Sequence, residues 1–476
     1  MSGTYDFQVC NHNYFLADAL RRSKNQHPLI PHYQAVVIDE AHKLLGAARQ
    51  MYGAELSSTT IAEITGDICN FTYDKGTDVK AIRELAISLY GQGKRLFMLL
   101  EESVNKNDDD NRETDRFTVT LDSKTLQHLR TIRKLCSELI SLIRHKPVLN
   151  RYLGRCTQIL WELKRLQEQS AIFEHHSSLV YWLEISSNPA APKLGRGLLL
   201  CGIPKRLDKL LYEDLWQKGI PMVLTSGTLS AAGNFGHIER ISGLHRLPES
   251  RLMETSKPSP FDHYSNSLLY ISKNVPFPDN SNPYYIQAVA DESERLIRAA
   301  HGHAALLFTS YKAMDMVYEL LAGRNMEFPL FRLERGALNA IENFRQSGNG
   351  ILFASGSMWE GIDLPGDILS LLIIPKLPFP VPDPINDYEQ TRYPDMDSFK
   401  EAVIKPEMAL RAKQGCGRLL RSVTDTGVIA FLDIRMGEDG PYREYVLEAL
   451  PRCPVTDDIT AVENFFTIKK QPAYFA

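Results

Sequence analysis

The first regular feature of the chain is a short apolar, β-branched run, YQAVVID (33–39), that ends on an acidic residue. The following EAHKLLGAARQMY carries apolar residues at helical spacing, so the pattern predicts a strand, a polar tip and a helix. From about 59 to 178 the period is helical throughout, in DVKAIRELAISLYGQGKRLFMLLEES, SKTLQHLRTIRKLCSELISLIRH and VLNRYLGRCTQILWELKRLQEQSAIFEHH. These predict a helical insertion, 59–178. Between the first two stretches, NKNDDDNRETDR (105–116) has no apolar period and reads as a solvated loop.

Strand character then returns in SLVYWLEI, GLLLCGI and PMVLTSGTL, with the helical RLDKLLYEDLWQKG before the last. That alternation is the one expected of a parallel sheet, so 1–58 and 179–247 are assigned to one α/β domain interrupted by the helices. A stretch rich in Pro, Ser and Asp (248–266) precedes a second alternating block: SLLYIS, ALLFTS, GILFAS, ILSLLIIP and TGVIAFLD. Residues 248–476 are therefore a second α/β domain. PKLPFPVPDP (375–384) follows a buried-type strand and reads as a rigid loop rather than a polyproline ligand.

A length of 476 residues fits about three domains, and 43% apolar with 24% charged residues is an ordinary globular composition. The net charge of −4 means that any nucleic-acid partner must be met by a local basic groove rather than a global field. The longest apolar runs fall well short of the roughly 18 to 20 residues a membrane helix needs, and no secretory signal is readable, so the expected compartment is the cytoplasm and no membrane partner is expected. The cysteines at 10, 69, 136, 156, 201, 416 and 453 form no CxxC pair, which predicts reduced, mostly buried thiols.

Asp39-Glu40-Ala41-His42 sits where α/β nucleotide-binding folds place ligands, at the carboxyl end of a strand. There Asp39 would hold Mg²⁺ and Glu40 would orient and deprotonate an attacking water, leaving His42 to sense the second domain. An acidic helix start is the plainer alternative. Thr225-Ser226-Gly227-Thr228-Leu229 follows the strand PMVL and could equally be a capping turn. Ser357-Met358-Trp359-Glu360-Gly361-Ile362-Asp363-Leu364-Pro365-Gly366 follows GILFAS; two glycines, a proline and two acids around a tryptophan describe a shaped loop. In Gln414-Gly415-Cys416-Gly417-Arg418-Leu419-Leu420-Arg421 the two arginines, three apart, share one face of a predicted helix and could act as arginine fingers or as surface ion pairs.

Taken in order, VVIDEAH, LTSGTL, SMWEGIDLPG and QGCGRLLRSVTDTGVIAFLDIR resemble the motifs of the XPD/DinG group of superfamily 2 DNA helicases, and the resemblance extends from NHNYFLAD through LLFTSY to YREYVLEALP. It implies two RecA-like parallel-sheet lobes, the first incomplete, with an all-helical arch-type insertion. It implies ATP and Mg²⁺ as the nucleotide pair, with Asp39 and Glu40 as the Walker B residues. Thr225, Ser226, Thr228 and Ser310 would couple the ATP state to nucleic acid. Glu360, Gly361, Asp363 and Gly417 would belong to the nucleotide-binding and coupling loops, while Gln414, Arg418 and Arg421 would face the nucleotide across the cleft. The implied partner is single-stranded DNA, tracked 5′ to 3′; the oligomeric state does not follow from the sequence, and a monomer is the expectation.

One required element is missing from the pattern. No G-x-x-x-x-G-K-[ST] segment occurs; the nearest candidate, Gly91-Gln92-Gly93-Lys94-Arg95, lies in a helical stretch and reads as carrying a surface lysine. The expectation is thus the carboxyl-terminal two-thirds of a helicase, with any iron–sulfur cysteines upstream and none assigned here. The competing readings are an ATPase-inactive nucleic-acid-binding or regulatory module and a DEAH-box RNA helicase, which the WEGIDLPG loop disfavours. Candidate strand-binding positions are Ser310, Tyr311 and Lys312, with Arg151, Tyr152 and Arg155 in the insertion.

Overall fold

The computed structural model describes residues 6–71, 73, 79–104, 116–144, 153–186, 197–230, 233–257, 263–333, 338–356, 364, 366–381, 383–419 and 424–475. The chain divides into two compact units: Met1–Thr225, Glu239–Arg251 and Val381–Asp395 in the first, Ser226–Ile238, Leu252–Pro380 and Met396–Ala476 in the second.

The first unit opens with helix α1 (His12–Ser23), strand β1 (Val36–Ile38), helix α2 (Leu44–Tyr52), strand β2 (Ala54–Ser57) and helix α3 (Ser58–Asn70). Helix α4 (Val79–Ser103), strand β3 (Arg116–Phe117) and helices α5 (Ser123–Arg144) and α6 (Leu153–Glu174) follow, then strands β4 (Leu179–Ser186), β5 (Gly197–Pro204) and β6 (Met222–Leu224). The three long helical stretches form α4, α5 and α6 as their period predicts. In α4 the buried positions Ile82, Ala86, Leu89, Leu96 and Leu100 advance by three, four or seven, one stripe of a 3.6-residue period. α3, not among the predicted helical stretches, buries a shorter stripe, Ile61, Ile64 and Ile68, equally well.

The expectation for SLVYWLEI and GLLLCGI is corrected: β4 and β5 pair antiparallel, Val180 opposite Ile203, in a sheet ordered β2-β5-β4-β3. Only residues 187–196 separate them, too few for the crossover helix that parallel neighbours require. Leu56, Leu183 and Leu200 of this sheet share one core with Ile64, Leu89, Leu129 and Leu163 of the helices. Gly93 of the GQGKR segment lies inside α4, where a Cβ would meet the Ile61 side chain at 2.9 Å, so this glycine serves close helix packing, and Lys94 is exposed. Arg116, read as the last residue of a solvated loop, is instead in β3, bonded to Glu184 and Asp383 at 2.9 Å each. Residues 105–115 lie outside the described residues.

β1 and β6 form a separate two-stranded parallel sheet with Val37 opposite Val223. Both valines are exposed, by 70% and 58%.

The second unit is built on seven parallel strands: β7 (Ser267–Ile271), β8 (Ala304–Phe308), β9 (Leu330–Arg332), β10 (Ile351–Ser355), β11 (Leu371–Ile374), β12 (Gly427–Phe431) and β13 (Val455–Thr456). Their order is β13-β7-β12-β11-β8-β10-β9. The runs SLLYI, AALLF, ILFAS, LLII and GVIAF are buried at every position, as strands covered on both faces must be. One face packs on the helices Pro283–Ala299, Tyr311–Ala322 and Ile459–Lys469, the other on Leu338–Ser347, Lys405–Cys416 and Arg443–Ala449. Because β8 and β10 run the same way, the chain leaves both at one edge of the sheet, which places Ser310 and Gly356 there.

The proline-rich loop after β11 is tethered as a rigid loop should be. The Leu377 amide donates to Asp433 Oδ2 at 2.8 Å, and the Arg435 guanidinium stacks 4.5 Å from the Phe379 ring centre. Among the described residues no helix is long and apolar enough to cross a membrane.

Candidate active site

In the first unit, β1 ends at Ile38 and the chain turns sharply. Glu40 takes φ 47° and ψ 46°, a left-handed conformation that costs a non-glycine residue about 1 kcal/mol or more. The helix predicted over EAHKLLGAARQMY therefore starts late: Ala41–Lys43 is a 3₁₀ turn and α2 begins at Leu44. The turn leaves the side chains of Asp39 and Glu40 exposed at the strand's carboxyl end. His42 Nδ1 lies 3.2 Å from Glu40 Oε2.

Backbone bonds tie this turn to the next strand. The Thr225 amide donates to Ile38 O and the Ala41 amide to Thr225 O, both at 3.0 Å. Asp39, Glu40 and Thr225, separated by nearly two hundred residues, are thus brought together. His12 also belongs here, since its Nε2 bonds the Asp39 carbonyl oxygen at 2.9 Å. His12 lies in NHNYFLAD, where no local pattern in the sequence marks it out.

Exposed Asp39 and Glu40 offer hard oxygen donors, of which Mg²⁺ takes one or two while keeping most of its water. The pair fits that ion. Among the described residues no group of three or more His, Cys, Asp or Glu side chains could hold a metal, and all seven cysteines are unpaired, Cys136, Cys156, Cys201 and Cys416 buried and Cys10 exposed.

A second cluster lies wholly in the second unit. Thr228 donates its amide to Ser226 Oγ at 3.2 Å, and Gln414 Nε2 donates to Thr228 Oγ1 at 3.3 Å. The LTSGTL and QGCGRLLR segments therefore meet through a side-chain bond. Gln414 stands in the last turn of the helix Lys405–Cys416, which stops at Gly417. Two arginines on one helix face is accordingly corrected for Arg418, which sits in the turn after that helix, its amide bonded to Gly415 O at 3.1 Å. The glycines at 415 and 417 lower helix propensity where the predicted helix was to continue.

Ser310 ends the β8 segment and caps the helix Tyr311–Ala322, its Oγ accepting from the Ala313 amide at 3.3 Å. Lys312 is exposed in the first turn of that helix. Gly356, after β10, takes φ 69° and so needs glycine, and Leu364 is buried in the core. Glu360, Gly361, Asp363 and Arg421, with Arg151 and Tyr152, lie outside the described residues. Arg155 is described and bonds Asp67 at 2.6 Å.

Residues 293–453 match the family described as the helicase C-terminal domain. The ATP-dependent DNA helicase YoaA of Escherichia coli is 30% identical over 472 residues, which are 97% of this chain and 69% of the relative. The ATP-dependent helicase DinG of Mycobacterium tuberculosis is 27% identical over 464 residues, 97% of this chain and 66% of the relative. Among solved structures, that of S. tokodaii Xpd4 aligns with a TM-score of 0.56 at 18% identity, covering 93% of this chain and 81% of that one, a likeness of fold.

Proposed function

Because the chain belongs to the DinG/XPD group of superfamily 2 helicases, we propose that it serves as the helicase core of an ATP-dependent DNA motor that tracks single-stranded DNA 5′ to 3′ in DNA repair. The observation that carries this reading is the bonding of the Asp39-Glu40 turn to Thr225, which ties the acidic tip directly to the segment that leads into Ser226 and Thr228. A merely acidic helix start would need no such link. In this reading Asp39 holds Mg²⁺, which when bound neutralises charge on the phosphates. Glu40, exposed at the strand's carboxyl end, accepts a proton from the attacking water. His42 steadies Glu40 from 3.2 Å.

The Gln414–Thr228 bond supports a coupling role for Thr228, since a change felt at Gln414 would reach the Ser226–Thr228 turn through one hydrogen bond. Arg418, Arg421 and Gly417 are assigned to the nucleotide's phosphates, and Glu360, Gly361 and Asp363 to coupling. Ser310 and Lys312 are assigned to the strand. We assign the helices of 59–178 the role of the family's arch, and 1–58 with 179–247 and 248–476 the two lobes. One observation favours a second reading, an ATPase-inactive nucleic-acid-binding module: no G-x-x-x-x-G-K-[ST] occurs in the 476 residues.

Anisotropy of a labelled single-stranded oligonucleotide across a salt series tests the strand-binding core of both readings. Weak, sequence-independent binding that falls steeply with salt is expected, because phosphate contacts release counterions and the chain's net charge of −4 supplies no global attraction. A flat salt response, or equal preference for blunt duplex, would refute a strand-tracking groove.

A further inference from the structure

A groove of about 580 Å³ runs between α3 and α6 in the first unit, beside Arg155, one of the candidate strand-binding positions. Its floor is apolar and already buried, made by Leu56, Ile64 and Leu166. Its rim is different. Four carboxylates, Glu55, Glu63, Asp67 and Glu162, line it against a single guanidinium, Arg165. Asp67 is neutralised by Arg155 at 2.6 Å, and Glu162 accepts from Gln158 at 3.0 Å. Glu55 and Glu63 remain exposed. On the same rim Trp161 is 60% exposed, with the Arg165 guanidinium 5.8 Å from its ring centre.

These features select the occupant. A concave wall of net negative charge focuses its potential into the groove, which repels a polyanion such as DNA and attracts cations. An exposed indole face is the best side-chain partner for a cation, and Arg165 already samples that geometry from the groove's own wall. Tryptophan set in a recess is also the residue type that most often anchors protein interfaces. A second apolar surface would gain little, because the floor's leucines and isoleucine are already covered.

We propose that this groove docks a lysine- or arginine-bearing segment of a partner protein, one cation resting on the Trp161 face and its neighbours held by Glu55 and Glu63. The surface thus belongs to recruitment and is separate from strand tracking, so its failure leaves the functional reading above untouched.

The test uses the full chain and a fluorescein-labelled peptide, Ac-GRLKRLKG-NH₂, with its charge-reversed analogue GELEELEG. Saturable 1:1 binding of the basic peptide is expected, with none of the acidic one. Trp161→Ala and the double variant Glu55→Lys/Glu63→Lys should each weaken binding by about tenfold or more, as loss of an interface anchor does. All three side chains are exposed, so both variants should melt like the parent. The control Glu319→Lys/Glu327→Lys places the same charge change on exposed positions of the second unit and should leave affinity within about twofold. Equal loss in that control, or an unchanged Trp161→Ala, would overturn the proposal. So would competition by an oligothymidine that the Glu55→Lys/Glu63→Lys variant strengthens, since the groove would then be a nucleic-acid path.

Discussion

Replacing Asp433 by alanine should destabilise the second unit by about 3 to 5 kcal/mol, the cost of removing one partner of a buried ion pair. Asp433 is fully buried, and its two oxygens accept four hydrogen bonds: from the amides of Leu377 and Arg435 at 2.8 and 3.0 Å, and from Arg435 Nε and Nη2 at 2.9 and 2.6 Å. Alanine leaves the guanidinium, whose side chain is only 17% exposed, without its counter-charge, and two backbone donors without an acceptor. Each unsatisfied donor costs about 1 to 3 kcal/mol, so the sum reaches the stated range even if water reaches one of them. Urea unfolding followed by the near-ultraviolet signal gives the difference directly. Asp433→Asn, which keeps one acceptor, should lose about half as much. In Asp433→Ala/Arg435→Met the stranded charge is gone, so this double variant should recover part of the loss. A midpoint shift worth less than about 1 kcal/mol in Asp433→Ala, or no recovery in the double variant, would show that the loop after β11 is held by something other than this carboxylate.

The 476-residue polypeptide should show little DNA-stimulated ATP hydrolysis, because Asp39, Glu40 and the arginines without a phosphate loop leave the β- and γ-phosphates unheld; robust turnover abolished by Glu40→Gln would refute this. Burial holds the His303 imidazole below its usual 6.5, with its ring stacked 4.0 Å from Tyr474. The unfolded chain then binds the proton first, so stability should fall as pH drops through about 6.5, by at most about 1.4 kcal/mol per unit from this group, and His303→Gln should flatten that slope in urea midpoints taken at pH 5.5 and 7. Val37→Thr, at an exposed strand position, should change stability by less than about 0.5 kcal/mol, whereas Leu306→Ala in β8, fully buried, should cost about 2 to 5; comparable losses in thermal melts would contradict the packing described.

What the sequence made readable was whatever a local pattern encodes. The long helices follow from their period, and the five central strands of the second unit from apolar runs too short for helices, because burial on both faces leaves no alternation to confuse with anything else. The pairing of β4 with β5 was readable too, though misread, since the ten residues between them already forbid a parallel crossover. The end of the helix at Gly417 was announced by its glycines. Glu40 was harder. A left-handed glutamate is unfavourable in isolation, so no local rule predicts it, and it persists because the bonds on either side of it, from Thr225 to Ile38 and from Ala41 to Thr225, fix the turn.

The same distinction separates the site's residues from their connections. Asp39, Glu40, Thr225, Thr228 and Gln414 are visible as residue types at strand or helix ends, because the proposed chemistry calls for a carboxylate, a hydroxyl or an amide there. That Gln414 bonds Thr228, 186 residues away, is visible nowhere in the sequence, since a single hydrogen bond worth about 1 kcal/mol imposes no spacing and no composition. Its placement is nevertheless determined. The helix that ends at Gly417 buries Met408, Ala412 and Cys416 in the core on one face of the second unit's sheet, which fixes where Gln414, in its last turn, stands. Substitutions that shift that helix, such as an enlarged side chain at fully buried Ala412, should therefore disturb the Gln414–Thr228 contact as surely as replacing either partner.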